Sequence, residues 1–101
     1  MFKAMILLTK KPEMSADEFR HWLLDEHAPL AASLPGLRRL VYNAVVSPDA
    51  PADAVAELWF DSQEAFVDAY ATEIGGRVAA DSLAHVAGRV RVFVEERVVV
   101  G

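Results

Sequence analysis

A histidine followed two residues later by a proline is the feature of this sequence best suited to chemistry. His27 lies in the stretch DEHAPL, directly after Asp25 and Glu26. Pro29 has no amide to donate, and its ring disfavours helical geometry at the residue before it, so we expect the helix to kink or end close to His27. Adjacent carboxylates favour the charged imidazole, whereas burial favours the neutral one. A histidine balanced in this way can exchange a proton near neutral pH as a general acid or base.

A purely structural interpretation of His27 stays open at this point. A positive group in the last turn of a helix interacts favourably with the helix dipole and needs no site around it. The other two histidines receive no functional role, because His21 falls on the solvent side of the first helix and His85 lies in a weakly patterned stretch. The three histidines are not spaced as metal ligands and the chain has no cysteine, so we expect no metal and no other cofactor.

Composition limits the class of protein. With 101 residues, of which 53% are hydrophobic, the chain fits one domain spanning residues 1–101. The net charge of −5 argues against a nucleic-acid partner, which would require a basic patch. No secretory signal or membrane-length apolar run is apparent, so we expect a soluble cytoplasmic protein with no membrane partner.

The elements that position His27 follow one another in the order βαββαβ. Apolar, strand-like segments are predicted at residues 2–9, 37–47, 54–61 and 89–99. The first helix begins at a capping box formed by Ser15 and Glu18, and the second begins after Asp61 or Ser62. Ile74-Gly75-Gly76 is expected to interrupt this second helix, with a further turn or two in 77–87. This order predicts an α+β, ferredoxin-like fold with a four-stranded antiparallel sheet and both helices on one face.

The strands are apolar on both faces, which has a consequence for assembly. In the first strand Ala4, Ile6 and Leu8 point one way, and Met5 and Leu7 point the other. Helices cover only one face of the predicted sheet. The simplest cover for the second face is another copy of the chain, so we expect a homodimer.

Several segments together resemble the EthD-type members of the dimeric α+β barrel proteins. They are the opening strand, the helix KKPEMSADEFRHWLLDEHAPL, the strand LPGLRRLVYN and the step VAELWFDSQEAF, with H-x-P at 27–29, PGL at 35–37 and ELWF at 57–60 as the most specific parts. The resemblance implies two ferredoxin-like subunits packed sheet to sheet around a cavity. It also implies a functional role for His27, as in the methylmuconolactone isomerases. The tyrosine that assists the histidine there is replaced here by Leu40.

Two aromatic residues are candidates for the wall of such a cavity. Leu40 and Tyr42 share one face of the second strand, so Tyr42 either supplies a hydroxyl close to the family's tyrosine position or packs at an edge on the partner chain. Trp59 shares its face with Val55 and Glu57 and is either a cavity wall or part of the core. An aromatic wall with one histidine suits a flat, mostly apolar small molecule.

The sequence therefore predicts a homodimeric barrel protein that binds a small aromatic or polyketide-like compound. Its predicted activity is that of a cofactor-free isomerase, cyclase or lyase with His27 as general acid or base, and with Leu40, Tyr42 and Trp59 as substrate-binding residues. Two alternatives stay open: a cofactor-independent monooxygenase, and a non-enzymatic ligand-binding or accessory protein. The leucine at position 40 favours the second of these.

Overall fold

Four strands form one antiparallel sheet in the computed structural model, which describes residues 1–101. The strands are β1 (Phe2–Lys10), β2 (Arg39–Ala44), β3 (Ala54–Phe60) and β4 (Val86–Glu95), arranged in the order β2-β3-β1-β4. The predicted α+β, ferredoxin-like arrangement is confirmed. The last strand stops at Glu95, four residues earlier than predicted, because Glu95 already pairs with Phe2 at the start of β1 and no partner strand extends beyond it.

The helices are α1 (Ala16–His21), a π-helical segment (Trp22–His27), α2 (Ala28–Ala31), α3 (Gln63–Tyr70) and α4 (Glu73–His85). The predicted capping box opens α1. The Glu18 amide donates to Ser15 Oγ at 3.0 Å, and the Ser15 amide donates to the Glu18 carboxylate at 2.8 Å. None of these helices combines the length and the apolar character needed to cross a membrane.

The helix does not end at His27, which corrects one of the two outcomes expected from Pro29, a kink or an end. Its hydrogen bonds widen instead to the π register, in which the Ala28 amide donates to the Leu23 carbonyl, and the chain continues through Ala31. The expected contact of His27 with Asp25 and Glu26 is also absent. Those two carboxylates are exposed and face His21, whose Nδ1 lies 2.9 Å from Asp25 Oδ2 and whose Nε2 lies 3.8 Å from Glu26 Oε2.

The glycine pair does not interrupt the second helical region, contrary to the prediction. The break falls earlier, and Thr72 caps α4 by accepting the Gly75 amide on its Oγ1 at 3.1 Å. Gly75 lies against the end of α3, where a Cβ atom would come within 2.4 Å of the Ala69 carbonyl oxygen and of Tyr70 Cα. The glycine therefore permits a close approach of two helices.

The core lies between the helices and one face of the sheet, which we call the inner face and which carries Ala4, Ile6 and Leu8 of β1. One buried cluster combines this face with the later helices and comprises Phe2, Ala4, Ala31, Leu34, Ala56, Leu58, Phe60, Phe66, Ala69 and Val78. A second cluster lies under α1 and comprises Leu8, Phe19, Trp22, Leu23, Ala54 and Val86.

The other side of the sheet, the outer face, carries Lys3, Met5 and Leu7 of β1 together with side chains of β3 and β4. Val92 on this face is 47% exposed. A polar network lies among the apolar residues: Lys3 Nζ donates to Glu57 at 3.0 Å and to Glu96 at 2.9 Å. Hydrogen bonds from Trp59 and Lys3 lower the pKa of the Glu96 carboxyl. The outer face is thus an open surface with a paired charged centre.

Candidate functional site

A pocket enters the molecule between the inner face of the sheet and α4, starting from the edge strand β4. Its outer chamber measures about 480 Å³, within the range of small-molecule sites. The chamber adjoins an inner pocket of about 20 Å³, which has room for about one water molecule. The two share Ile6, Tyr70, Ala79 and Arg89 as lining residues, and the inner pocket ends at His27 and Tyr42. The path from β4 therefore leads to the histidine singled out by the sequence.

His27 is hydrogen-bonded to a carboxylate of α4 on the side of the ring away from the pocket. Its Nδ1 lies 2.8 Å from Asp81 Oδ2, and the residue is only 4% exposed. Trp22 Nε1 donates to the same oxygen at 3.1 Å. An ionised carboxylate only accepts hydrogen bonds, so this contact assigns the proton of neutral His27 to Nδ1 and leaves the lone pair on Nε2. Asp81 thus fixes both the tautomer and the orientation of the imidazole, as expected for a general base.

A second histidine supports this arrangement. His85 lies one turn after Asp81 on α4, and its Nδ1 is 2.8 Å from the Asp81 carbonyl oxygen and 3.4 Å from Asp81 Oδ1. Its ring stacks on Trp22 with centroids 4.5 Å apart. The Trp22 ring in turn contacts His27, with centroids 4.8 Å apart. His85 had no predicted role, yet it contacts both groups that hold His27 in place.

Three polar atoms of pocket residues remain available to a ligand. His27 Nε2 and the hydroxyls of Tyr42 and Tyr70 make no hydrogen bond within the chain. Every fully buried side-chain nitrogen or oxygen does have a hydrogen-bond partner, so these three atoms are not fully buried. These atoms therefore reach open space, and all three residues line the pocket. The Tyr42 ring meets His27 edge-on at 6.1 Å, so one small polar group of a ligand that enters the inner pocket can contact both.

Burial keeps the two phenols protonated. It raises the pKa of Tyr42, and the nearby Tyr70 and Asp81 raise it further. Burial also raises the pKa of Tyr70, although Arg89 and Arg91 act in the opposite direction. A neutral phenol in a partly apolar pocket is a hydrogen-bond donor, and it can stabilise negative charge that develops on a ligand oxygen.

The structure brings together two of the four site residues expected from the sequence. His27 and Tyr42 share the inner pocket. Leu40 is on the same face as Tyr42, but it lies opposite Leu58 and packs against the core rather than lining the pocket. Trp59 is separated from His27 altogether, because it lies on the outer face, where its Nε1 donates to Glu96 at 2.9 Å.

Six residues of the site were missed from the sequence, namely Trp22, Tyr70, Asp81, His85, Arg89 and Arg91. Asp81 carried a usable signal, because it precedes His85 by four residues and this spacing places both on one face of a helix. No local pattern connects Asp81 with His27 or Trp22, since these contacts join residues more than fifty positions apart in the chain.

The comparisons with known proteins agree with this fold. A family model described as the EthD domain matches residues 11–88. No curated protein matches the chain. A solved EthD family protein from Bacillus halodurans C-125 is 25% identical and has a TM-score of 0.82, with 96% of this chain and 100% of that chain covered.

Two further solved structures share the fold at lower identity. A dimeric protein of unknown function with a ferredoxin-like fold, from Bacteroides fragilis, is 13% identical with a TM-score of 0.75, covering 94% of this chain and 95% of that chain. SnoaB, a cofactor-independent oxygenase from Streptomyces nogalater, is 19% identical with a TM-score of 0.70, covering 95% of this chain and 92% of that chain. At these identities the two structures indicate the fold alone.

Proposed function

The chain belongs to the EthD domain family, and from that premise we propose that it moves a proton on a small, flat, mostly apolar molecule bound in the pocket. The ligand is aromatic or polyketide-like, and the reaction is a cofactor-free isomerisation, cyclisation or lyase step. The observation that carries the proposal is the state of His27, which is oriented by Asp81 through Nδ1 while Nε2 is free in the pocket.

The proposed step is an enolisation. His27 Nε2 removes a proton from a carbon beside a ligand carbonyl, the C–H electron pair moves toward the carbonyl oxygen, and the Tyr42 hydroxyl donates a hydrogen bond to that oxygen. Asp81 stabilises the imidazolium that forms. His27 then returns the proton to another position of the ligand. In a cyclisation the carbanion instead attacks a second carbonyl carbon, and the oxygen of that carbonyl takes the proton from His27.

Exchange of an acidic C–H of β-tetralone in heavy water tests this step without knowledge of the natural substrate. We expect the protein to accelerate deuterium uptake, followed by proton NMR, and His27→Gln to lower the protein-dependent rate by about 100-fold or more. His21→Gln is the matched control, because it alters an exposed histidine of the same helical region. Equal rates for the His27 variant and the wild type would contradict the proposal.

A cofactor-independent monooxygenase is the second candidate, supported by the shared fold with SnoaB. It is distinguished by oxygen uptake in the presence of anthrone, which the proton-transfer proposal does not require. Binding of β-tetralone without exchange, together with no oxygen uptake, would instead favour the non-enzymatic ligand-binding protein.

We also propose that the chain acts as a homodimer joined through the outer faces of two sheets, as its exposed apolar residues and the dimeric ferredoxin-like relatives indicate. Sedimentation at micromolar concentration is expected to give twice the chain mass of 11.1 kDa. Val92→Glu should shift the equilibrium to monomer, because it introduces a charge into a desolvated interface.

The matched control for the dimer is Val67→Glu. Val67 has similar exposure, 54%, but lies on α3 on the helical side of the molecule. This variant should remain dimeric. A wild-type protein that sediments as a monomer, or equal effects of the two substitutions, would show that the outer face is not the interface.

A further inference from the structure

Two arginines stand at the entrance of the pocket. Arg89, Arg91 and Phe93 follow one another at every second position of the edge strand β4, so their three side chains share the inner face. Arg89 lines both the outer chamber and the inner pocket, and Arg91 lines the outer chamber. They are the charged residues of the outer chamber, whose other lining residues are Ile6, Phe66, Tyr70 and Ala79.

Neither guanidinium has a carboxylate partner in the chain. Arg38 and Arg77 do, in the pairs Arg38–Asp61 at 2.8 Å and Arg77–Glu73 at 3.0 Å. Most of the other arginines also lack a partner, so Arg89 and Arg91 are distinguished by their place in the pocket lining. Two like charges on one strand face repel each other, so their placement without a counter-charge leaves a site of positive potential at the mouth of the pocket.

Aromatic rings beside the arginines indicate what kind of ligand body can bind there together with an anionic group. The Arg91 guanidinium lies 5.3 Å from the centroid of Phe66 and 4.7 Å from that of Phe93. These contacts hold the planar group over the rings without using its hydrogen-bond donors. A guanidinium fork matches a carboxylate in two parallel hydrogen bonds, whereas the ring-lined chamber suits a flat hydrocarbon body.

We propose that the ligand is an aromatic or conjugated carboxylate whose carboxyl group binds Arg89 and Arg91 while its body extends toward His27. The arginines are specificity-determining residues in this proposal, and the carboxylate is the end that stays at the mouth. The inference rests on the proposed function only in assigning the pocket to the ligand. It adds the charge and the orientation of that ligand.

The test compares β-naphthoate with β-naphthamide, a neutral analogue of the same shape, by titration calorimetry on the full chain. We expect the carboxylate to bind at least about tenfold more tightly, as charge-assisted hydrogen bonds do. The double variant Arg89→Gln/Arg91→Gln should abolish this preference, with a larger loss of affinity for the carboxylate than for the amide. Added salt should weaken binding of the carboxylate alone.

Arg20→Gln is the control for loss of a positive charge away from the pocket. Arg20 lies on α1 and contacts the Val45 carbonyl beyond β2, which is the opposite edge of the sheet from β4. It should retain the preference for the carboxylate. A control variant that loses the preference as fully as the double variant would attribute the effect to overall charge and overturn the site.

Two further outcomes separate this inference from the proposed function. Equal affinity of the wild type for the two compounds would overturn the anion site while leaving the pocket as an aromatic-ligand site. Failure of both compounds to bind would overturn the anion site together with the proposed function. Exchange of β-tetralone by the wild type tests His27 separately from the anion site, because that probe carries no carboxylate.

Discussion

Replacing Asp81 by alanine is expected to lower the free energy of unfolding by about 3 kcal/mol. The substitution removes the acceptor that Trp22 Nε1 and His27 Nδ1 share. Both donors belong to buried residues, and each is left without a partner in a region that water enters poorly. Urea denaturation followed by circular dichroism measures the loss. Asp68→Ala is the control, because Asp68 is an exposed acid of α3 without an ion pair, and its replacement should change stability by less than about 0.5 kcal/mol.

Asp81→Asn changes the hydrogen bonding that orients His27 but keeps a side chain of the same size beside it. The side-chain amide keeps the volume of the carboxylate, but it removes the negative charge and replaces one acceptor oxygen by a nitrogen that is itself a donor. We expect a smaller loss of stability and a transfer of the imidazole proton from Nδ1 toward Nε2. Nitrogen NMR of the imidazole reports this change directly. A tautomer unaltered by the substitution would contradict the role assigned to Asp81.

The second large effect is expected at Gly75. Gly75→Ala should lower the free energy of unfolding by about 3 kcal/mol, because its new methyl group would meet backbone atoms of Ala69 and Tyr70 at 2.4 Å. Backbone atoms cannot move aside as a flexible side chain can, so α4 must shift away from α3. Thermal denaturation measures the loss, and a displaced α4 should also disturb the contact between Asp81 and His27.

The adjacent glycine supplies the control in the same helix. A Cβ at Gly76 meets nothing within 4 Å. Gly76→Ala should therefore raise stability by about 0.5 to 1 kcal/mol through the better helix propensity of alanine. Similar effects of the two substitutions would show that helix propensity, rather than the close approach of α3 and α4, governs both positions.

Much of the fold is predictable because its signals are local. The capping box at Ser15 and Glu18 depends on residues three apart, and the alternation of β1 depends on residues two apart. The order of the elements then leaves few ways to arrange four antiparallel strands. The same alternation placed Tyr42 on one face of its strand with Leu40, as in the structure, but left open what that face meets.

The site is less predictable because its contacts are distant in the chain. His27 was selected for its neighbours Asp25 and Glu26, whereas its actual partner, Asp81, lies 54 residues away. The π register also has no simple residue pattern, so the proline was interpreted as a helix end. Glycine is ambiguous in the same way, since a close approach between helices and a break in a helix favour the same residue.

The π-helical segment affects how the site responds to the insertion or deletion of one residue. A π turn holds about one residue more than the α turn of the same height, and such turns are commonly found at functional sites. Deleting one residue from its exposed side, such as Leu24, would let the segment close into an α-helix. Because the wide turn accommodates the extra residue, His27 should keep about the same direction relative to α1 after the deletion. The helix before His27 can therefore differ by one residue in length while the contact of His27 with Asp81 is kept.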